Sequence, residues 1–445
     1  MLFKRIILLA TLFLALPASA SFADDQPSFI RDAEIENTIR AYSTPLFQAA
    51  GLDPNAVSIH ILVDPTLNAF VTGGQNLFLH TGLLLRAENA SQVIGVIAHE
   101  TGHMAGGHVV RMQGELGTAS TEAIVAMLLG AAVGAASGRG DVGSALAMGG
   151  QSMVERDILA YSRENEAAAD QAGLKFLDAT HQSARGMLEF MEILGDQELL
   201  VTTEQDPYVR THPLTRDRVV FIQDWVEHSK WSDQPIRPEY AEMFQRMQAK
   251  LYAFLEPPMR TLRRYRANDT SIAARYARAI AYYRKPDLTK ALPLIDGLIA
   301  ERPDDPYFPE LKGQMLFENA RGGEAVAPYR RAAQLLPGSA LIRIELGQVE
   351  VEQNDPSLLK DAVTNLSAGV TSEPGNPDGW RLLGIAYGRA GNEGMASYAL
   401  AEEALLEGRR ADANYLAVKA ERLLPRGGPI WLRIQDIKDR AAQRR

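Results

Sequence analysis

The stretch VIAHETGHMAGGHVV, Val96 to Val110, carries three of the chain's eight histidines within ten positions. Upstream, Leu83, Leu84, Val93, Ile94 and Ile97 fall at helical spacing, so the stretch is predicted to be helical. Side chains four apart on a helix share one face, a turn from each other. His99 and His103 therefore present two imidazoles that can hold one Zn²⁺, with nitrogens about 2.0–2.1 Å from the metal. Glu100 opens to the same side and is placed to take a proton from a water activated there. The alternative is two partly exposed helix histidines beside a surface glutamate. H-E-x-x-H arises by chance in roughly one such chain in a hundred, which weighs against it.

A metal needs a third protein ligand. The chain has no cysteine, so no thiolate can bind a metal or act as a nucleophile, no disulfide can form, and the site must use histidine and carboxylate. Two candidates remain. In H-E-x-x-H-x-x-G-x-x-H the last histidine falls at position 109; Gly106 is in place, but that position is Val109 and the histidine stands at 108. If the helix continues, His108 points elsewhere and is read as a bystander. The second candidate lies in YSRENEAAAD (161–170), within a helix expected over 153–177. Glu166 completes a His₂Glu set with one position open. Asp170, four residues on and on the same face, suits the free N–H of a ligating histidine. Glu164 does not share a face with Asp170, which favours Glu166.

Working outward, a helix is expected over 28–50. In VSIHILVDPTLNAFVTGGQNLFLHTGLLL (57–85), Val57, Ile59, Ile61 and Val63 alternate, Asp64-Pro65 breaks the run, and Leu67 to Val71 is a second strand. Gly73-Gly74 is a hairpin turn and Asn76 to His80 a third strand, giving a small antiparallel sheet. Residues 112–153 are rich in Gly and Ala and read as a packed helical hairpin. A mobile flap or a peripheral membrane contact is the other use, but the apolar run 123–136 is too short to span a bilayer.

After LEPP (255–258) comes an internal repeat. Ala291/Ile295/Leu298/Pro303, Ala325/Tyr329/Ala332/Pro337 and Ala362/Leu366/Gly369/Pro374 share one pattern, and Ala396 opens a fourth helix in register. Trp380, Leu383, Gly384 and Tyr387 carry the matching partner-helix positions. This resembles the tetratricopeptide repeat, a solenoid whose concave surface suits peptide segments.

The chain's 445 residues, 46% hydrophobic, allow two or three domains. A net charge of −9 argues against a nucleic-acid partner. Lys4 and Arg5, the apolar run Ile6 to Leu16 and the small residues of Ala18-Ser19-Ala20 or Ser21-Phe22-Ala23 read as a secretory signal, cleaved near residue 20 or 23. The expected division is a signal over 1–23, a metalloprotease domain over 24–255 and repeats over 256–445.

His99-Glu100-x-x-His103, the match at Ser162, Arg163, Glu166, Ala169 and Asp170, and HPLTRDR (212–218) together resemble the gluzincin family that includes HtpX and the CAAX prenyl proteases. With the signal and the repeats, the chain looks most like the periplasmic, BepA-type branch of that family. The resemblance implies a mainly α chain: an α+β zincin-like domain with one zinc, then an all-α tetratricopeptide-repeat solenoid. It implies that Asn68, Ala69 and Phe70 form a substrate-side strand, that His212 binds the oxyanion or closes the site as an extra ligand, and that Arg218 braces Asp170. The implied activity is a periplasmic endopeptidase that clears misfolded or stalled envelope proteins, with repeats recruiting unfolded substrate or the outer-membrane assembly machinery. A chaperone or assembly factor with a normally closed site is the alternative.

Overall fold

The computed structural model describes residues 28–73, 75–108, 151–198, 208 and 212–443. The expected signal segment and most of the 112–153 segment lie outside the described residues.

The first part runs β1 (Phe29–Ile30), α1 (Ala33–Ala49), β2 (Ser58–Leu62), β3 (Ala69–Thr72), β4 (Asn76–His80), α2 (Thr81–Arg86) and α3 (Ala90–Ala105). It continues with α4 (Gln151–Ala179), α5 (Arg185–Glu198), α6 (Arg216–His228) and α7 (Pro238–Leu255). The helix expected from residue 28 begins later. Asp32 caps α1 by accepting from the Ile35 N–H at 2.9 Å, and this stop leaves Phe29 and Ile30 free to join the sheet.

The sheet is mixed, not wholly antiparallel as expected. Its order is β1-β2-β4-β3, with β2 and β4 parallel and the other two pairs antiparallel. The reason lies in the break at Asp64-Pro65. Asp64 spends its polar groups on Thr66 and on the start of α2, its carbonyl accepting from the Gly82 N–H at 2.8 Å. No hairpin closes there, and the chain crosses to the sheet's edge as β3. After β3 the chain returns as β4 between β3 and β2, where Leu77 to His80 are buried. Ile61, Ala69, Val71, Leu77 and Leu79 point to a core shared with Ile35, Ile39, Tyr42 and Leu46 of α1 and with Val93, Ile94 and Ile97 of α3. Each fully buried Val, Leu or Ile among them contributes about 1.5–3 kcal/mol.

The position of the site depends on how closely α3 and α4 approach. A Cβ on Gly102 would lie 2.5 Å from the Ala169 carbonyl oxygen, and one on Gly173 2.9 Å from that of Ala98. Without side chains at these two crossings, the residues one turn away on each helix can meet.

Beyond a short helix, Pro258–Arg264, the chain forms helix pairs. These are Ile272–Tyr283 with Leu288–Glu301, Tyr307–Glu318 with Gly322–Leu335, Ala340–Glu352 with Leu359–Ser372, Pro377–Arg389 with Glu393–Leu406, and Arg410–Leu423 with Pro429–Ala442. The small-and-large pattern of the repeats falls on the second helix of the first three pairs, and those positions are buried there. The α7 helix serves two cores: Phe244, Met247 and Leu251 pack into the first, and Ala249 and Ala253 into that of the first helix pair. Among the described residues, no helix is long and apolar enough to cross a membrane.

Candidate metal centre and active site

The α3 helix starts at Asn89, whose side chain accepts from the Gln92 N–H, and buries its apolar face against the sheet. That orientation turns His99 and His103 towards α4, where Glu166 and Asp170 share a buried face and Glu164 is exposed. His212 reaches the same point from the loop ahead of α6.

Four donor atoms converge. His99 Nε2 lies 3.1 Å from His103 Nε2 and 3.3 Å from Glu166 Oε2, and His103 Nε2 lies 3.2 Å from Glu166 Oε1. His212 Nδ1 stands 3.4 Å from His99 Nε2 and 3.1 Å from Glu166 Oε1. Ligand atoms of a tetrahedral zinc, with bonds of about 2.0–2.1 Å, lie about 3.3 Å apart. These separations suit ligands of one metal ion, with Glu166 offering either carboxylate oxygen, and the two-imidazole, one-carboxylate core matches catalytic zinc chemistry.

Each of these groups is held from behind. His99 Nδ1 is 2.8 Å from Asp170 Oδ1, a contact that points Nε2 towards the other donors. Arg218 grips Asp170 with two N–H groups at 2.6 and 2.9 Å, pairs with Glu166 at 3.0 Å, and donates to the Pro213 carbonyl at 2.8 Å. One guanidinium thus joins the α4 carboxylates to the loop that delivers His212. Thr215 starts α6 by accepting from the Arg218 N–H, which fixes where that guanidinium originates.

The electrostatics favour positive charge at the centre. Burial pulls the His99 imidazole down, but Asp170 and Glu166 overcome it and push it up to about 10. Burial brings the His103 imidazole down to about 3, which keeps it neutral with a free lone pair. Burial raises Glu166, yet His212, His103 and His99 hold its carboxyl well below the usual range. Glu100 is the exception. It is fully buried, neither carboxylate oxygen has a hydrogen-bond partner among the described residues, and His212 Nε2 faces it at 3.6 Å. Burial raises its pKa, with His212 opposing. A buried carboxyl without a hydrogen bond is costly, which points to a working group.

Asn68, Ala69 and Phe70 lie at the start of β3, an edge strand paired only with β4 among the described residues. The Ala69 side chain belongs to the core and Phe70 stacks on Phe78 at 4.8 Å, so this strand offers its main chain rather than those side chains. One residue at the site, Tyr208, has no signal in the sequence. Tyr208 donates its N–H to the Leu67 carbonyl at 3.3 Å, accepts the His212 N–H at 2.8 Å, and lays its ring 4.5 Å from that of His212. His108, set aside as a bystander, is buried with Nδ1 3.0 Å from His103 Nδ1.

Residues 30–226 match the family model described as peptidase family M48. The chain is 24% identical over 371 residues to the beta-barrel assembly-enhancing protease of Yersinia pestis, covering 80% of this chain and 72% of that one. It is 22% identical over 398 residues to the protein of the same name from Escherichia coli (strain K12), covering 88% and 80%. Among solved structures, YrrB, a TPR protein with an unusual peptide-binding site, aligns with a TM-score of 0.32 at 17% identity, over 40% of this chain and 91% of that one. Residues 30–226 thus carry a peptidase family M48 domain, with its H-E-x-x-H helix and downstream glutamate, and the chain is a metalloprotease.

Proposed function

We propose that this chain is a zinc-dependent endopeptidase of the bacterial periplasm that clears misfolded or stalled outer-membrane proteins. A peptidase domain over 24–255 does the cutting, and repeats over 256–445 recruit substrate or the assembly machinery. The observation that carries the reading is the convergence of His99, His103, Glu166 and His212 donor atoms within 4.8 Å of one another, with the buried Glu100 carboxyl beside them. The periplasmic setting rests on the signal-like N-terminus, and the substrate class on the name borne by the relatives.

His99 and His103 through Nε2, with Glu166, would hold the zinc. Bound there, zinc supplies Lewis acidity that polarises a scissile carbonyl and acidifies water. Glu100 takes the proton of the attacking water and passes it to the leaving amine. His212, once withdrawn from the fourth corner, donates a hydrogen bond to the developing oxyanion. The edge of β3 receives the substrate as an added strand, through main-chain hydrogen bonds that tolerate many sequences.

His212 in the fourth corner favours a second element of the reading: the resting site is closed. Its tether, Tyr208, occupies the Leu67 carbonyl next to Asn68, so an incoming strand competes with the same contact that holds His212 in. A chaperone or assembly role with infrequent cleavage is compatible with that resting state.

The test is Glu100→Gln. We expect zinc content and unfolding temperature to match the parent, and cleavage of an unfolded outer-membrane protein to fall at least ~10²-fold, the scale of general-base catalysis. Undiminished cleavage would remove Glu100 from the mechanism.

A further inference from the structure

We propose that His108 is a positioning residue of the metal centre, its ring holding the outer nitrogen of His103 so that His103 keeps the tautomer able to ligate. This rests on the reading of His103 as a zinc ligand.

The geometry is specific. His103 Nε2 faces His99 and Glu166, and on the far side of its ring Nδ1 meets His108 Nδ1 at 3.0 Å, the two rings being near perpendicular at 83°. Two ring nitrogens at that distance share one proton. A ligating Nε2 needs its lone pair, so the proton sits on His103 Nδ1 and His108 Nδ1 accepts it. His99 is served in the same way by Asp170, at 2.8 Å. The two ligands are thus braced differently, one by a carboxylate and the other by an imidazole ring. His108 is outside the converging donor set and does not reach the metal position itself.

The local sequence builds this contact. The α3 helix ends at Ala105, and the Gly107 N–H bonds to the Met104 carbonyl at 3.1 Å. Gly107 has φ of 63°, the left-handed turn that glycine adopts freely, and it swings the chain back along the helix it has just left. A Cβ on Gly106 would lie 2.5 Å from His108 Nε2, so a bare backbone there leaves room for the ring. His103-x-x-Gly106-Gly107-His108 is therefore a single unit. One glycine turns the chain, the other makes space, and the histidine returns to its partner five residues back.

The test measures zinc rather than turnover alone, using zinc ions competed against a chelator of known affinity. For His108→Ala we expect zinc still to bind one per chain, with affinity reduced about 10–100-fold, the range for outer partners of ligating histidines. His108→Asn, whose amide oxygen can accept the same proton, should recover most of that loss, whereas the apolar His108→Leu should not. Gly106→Ala keeps His108 but displaces its ring, and should weaken zinc in the same direction. In ¹⁵N spectra of the zinc-loaded parent, His103 should carry its proton on Nδ1. Equal zinc affinity in the parent and His108→Leu, equal loss in the Asn and Leu variants, or a His103 proton absent from Nδ1 would each overturn the proposal. Its failure is separable from that of the zinc reading. If the parent binds no zinc, or His103→Ala binds it as well as the parent does, it is the ligand assignment that falls.

Discussion

At the scale of single residues, Arg218 shows how much of the centre depends on a group that never touches the metal position. Its planar fork spans both oxygens of Asp170, and its remaining reach takes in Glu166 and the Pro213 carbonyl. A lysine offers a point charge without the fork, so Arg218→Lys should retain the fold while weakening zinc about tenfold and loosening His212. Chelator competition reads the first effect. Glu166→Gln removes a ligand outright and should leave the purified protein with little zinc. The same carboxylates that push His99 up to about 10 place protons and metal in competition, so zinc affinity should fall steadily as pH is lowered from 8 to 6. A flat profile would show that His99 does not ligate. His99, Glu100, His103, Glu166 and Asp170 could all be read from the sequence because i,i+4 spacing inside one helix is local geometry. His212 and Arg218 needed the family resemblance, since nothing near a loop His-Pro says what it faces. His108 stands outside the donor set, as its spacing implies, but its contact with His103 depends on the turn at Gly106 and Gly107, which helical spacing does not record.

At the scale of elements, the strand edge and the closing loop act on one another. Leu67 precedes β3, its carbonyl is held by the Tyr208 N–H, and the Tyr208 ring rests against His212. Removing the imidazole should open the fourth corner without disturbing the three remaining donors. We expect His212→Ala to keep its zinc and to cleave short unfolded peptides faster than the parent, if closure limits the rate. A large fall in kcat at unchanged zinc content would instead assign His212 chiefly to the oxyanion. Tyr208→Ala should act in the same direction as opening, because it removes the ring that packs against the histidine. The sheet itself was only half legible. Alternation located three strands and Gly73-Gly74 located the hairpin, but strand order is a tertiary matter. It was decided by Asp64 bonding to the start of α2 instead of closing a turn, and no pattern within the strands records that choice.

At the scale of the whole molecule, α7 and the start of α1 meet the repeats through buried charge. Lys250 Nζ lies 2.6 Å from Asp32, 3.5 Å from Glu34 and 3.6 Å from Glu310, while Arg246 pairs with Glu34 and Asp305 and the Tyr276 hydroxyl donates to Glu34. The repeat period was plain in the sequence, but this junction was not, since its members are scattered from Asp32 to Glu310. Its carboxylates titrate in opposite senses. Burial raises Glu34, but Arg246 and Lys250 outweigh it and leave the pKa lowered, so its stabilising contribution is present at neutral pH and is lost as pH falls through the acid range. Glu310 is pushed up to about 7, chiefly by burial, with Lys250 opposing. The unfolded chain gives up that proton near its ordinary value while the folded chain retains it, so Glu310 progressively costs stability as pH climbs from about 4.5 to about 7. Glu310→Gln should therefore leave stability close to the parent's at pH 5 and raise it at pH 8. With about 1.4 kcal/mol per pKa unit, the gain is at most about 3.5 kcal/mol. Lys250→Met should do the reverse, stranding Asp32 and Glu310 without a cation and costing on the order of 3–5 kcal/mol at pH 8. Chemical denaturation of each variant at the two pH values decides the matter: a Glu310→Gln effect equal at pH 5 and pH 8 would mean that the junction carboxylate does not titrate across this range.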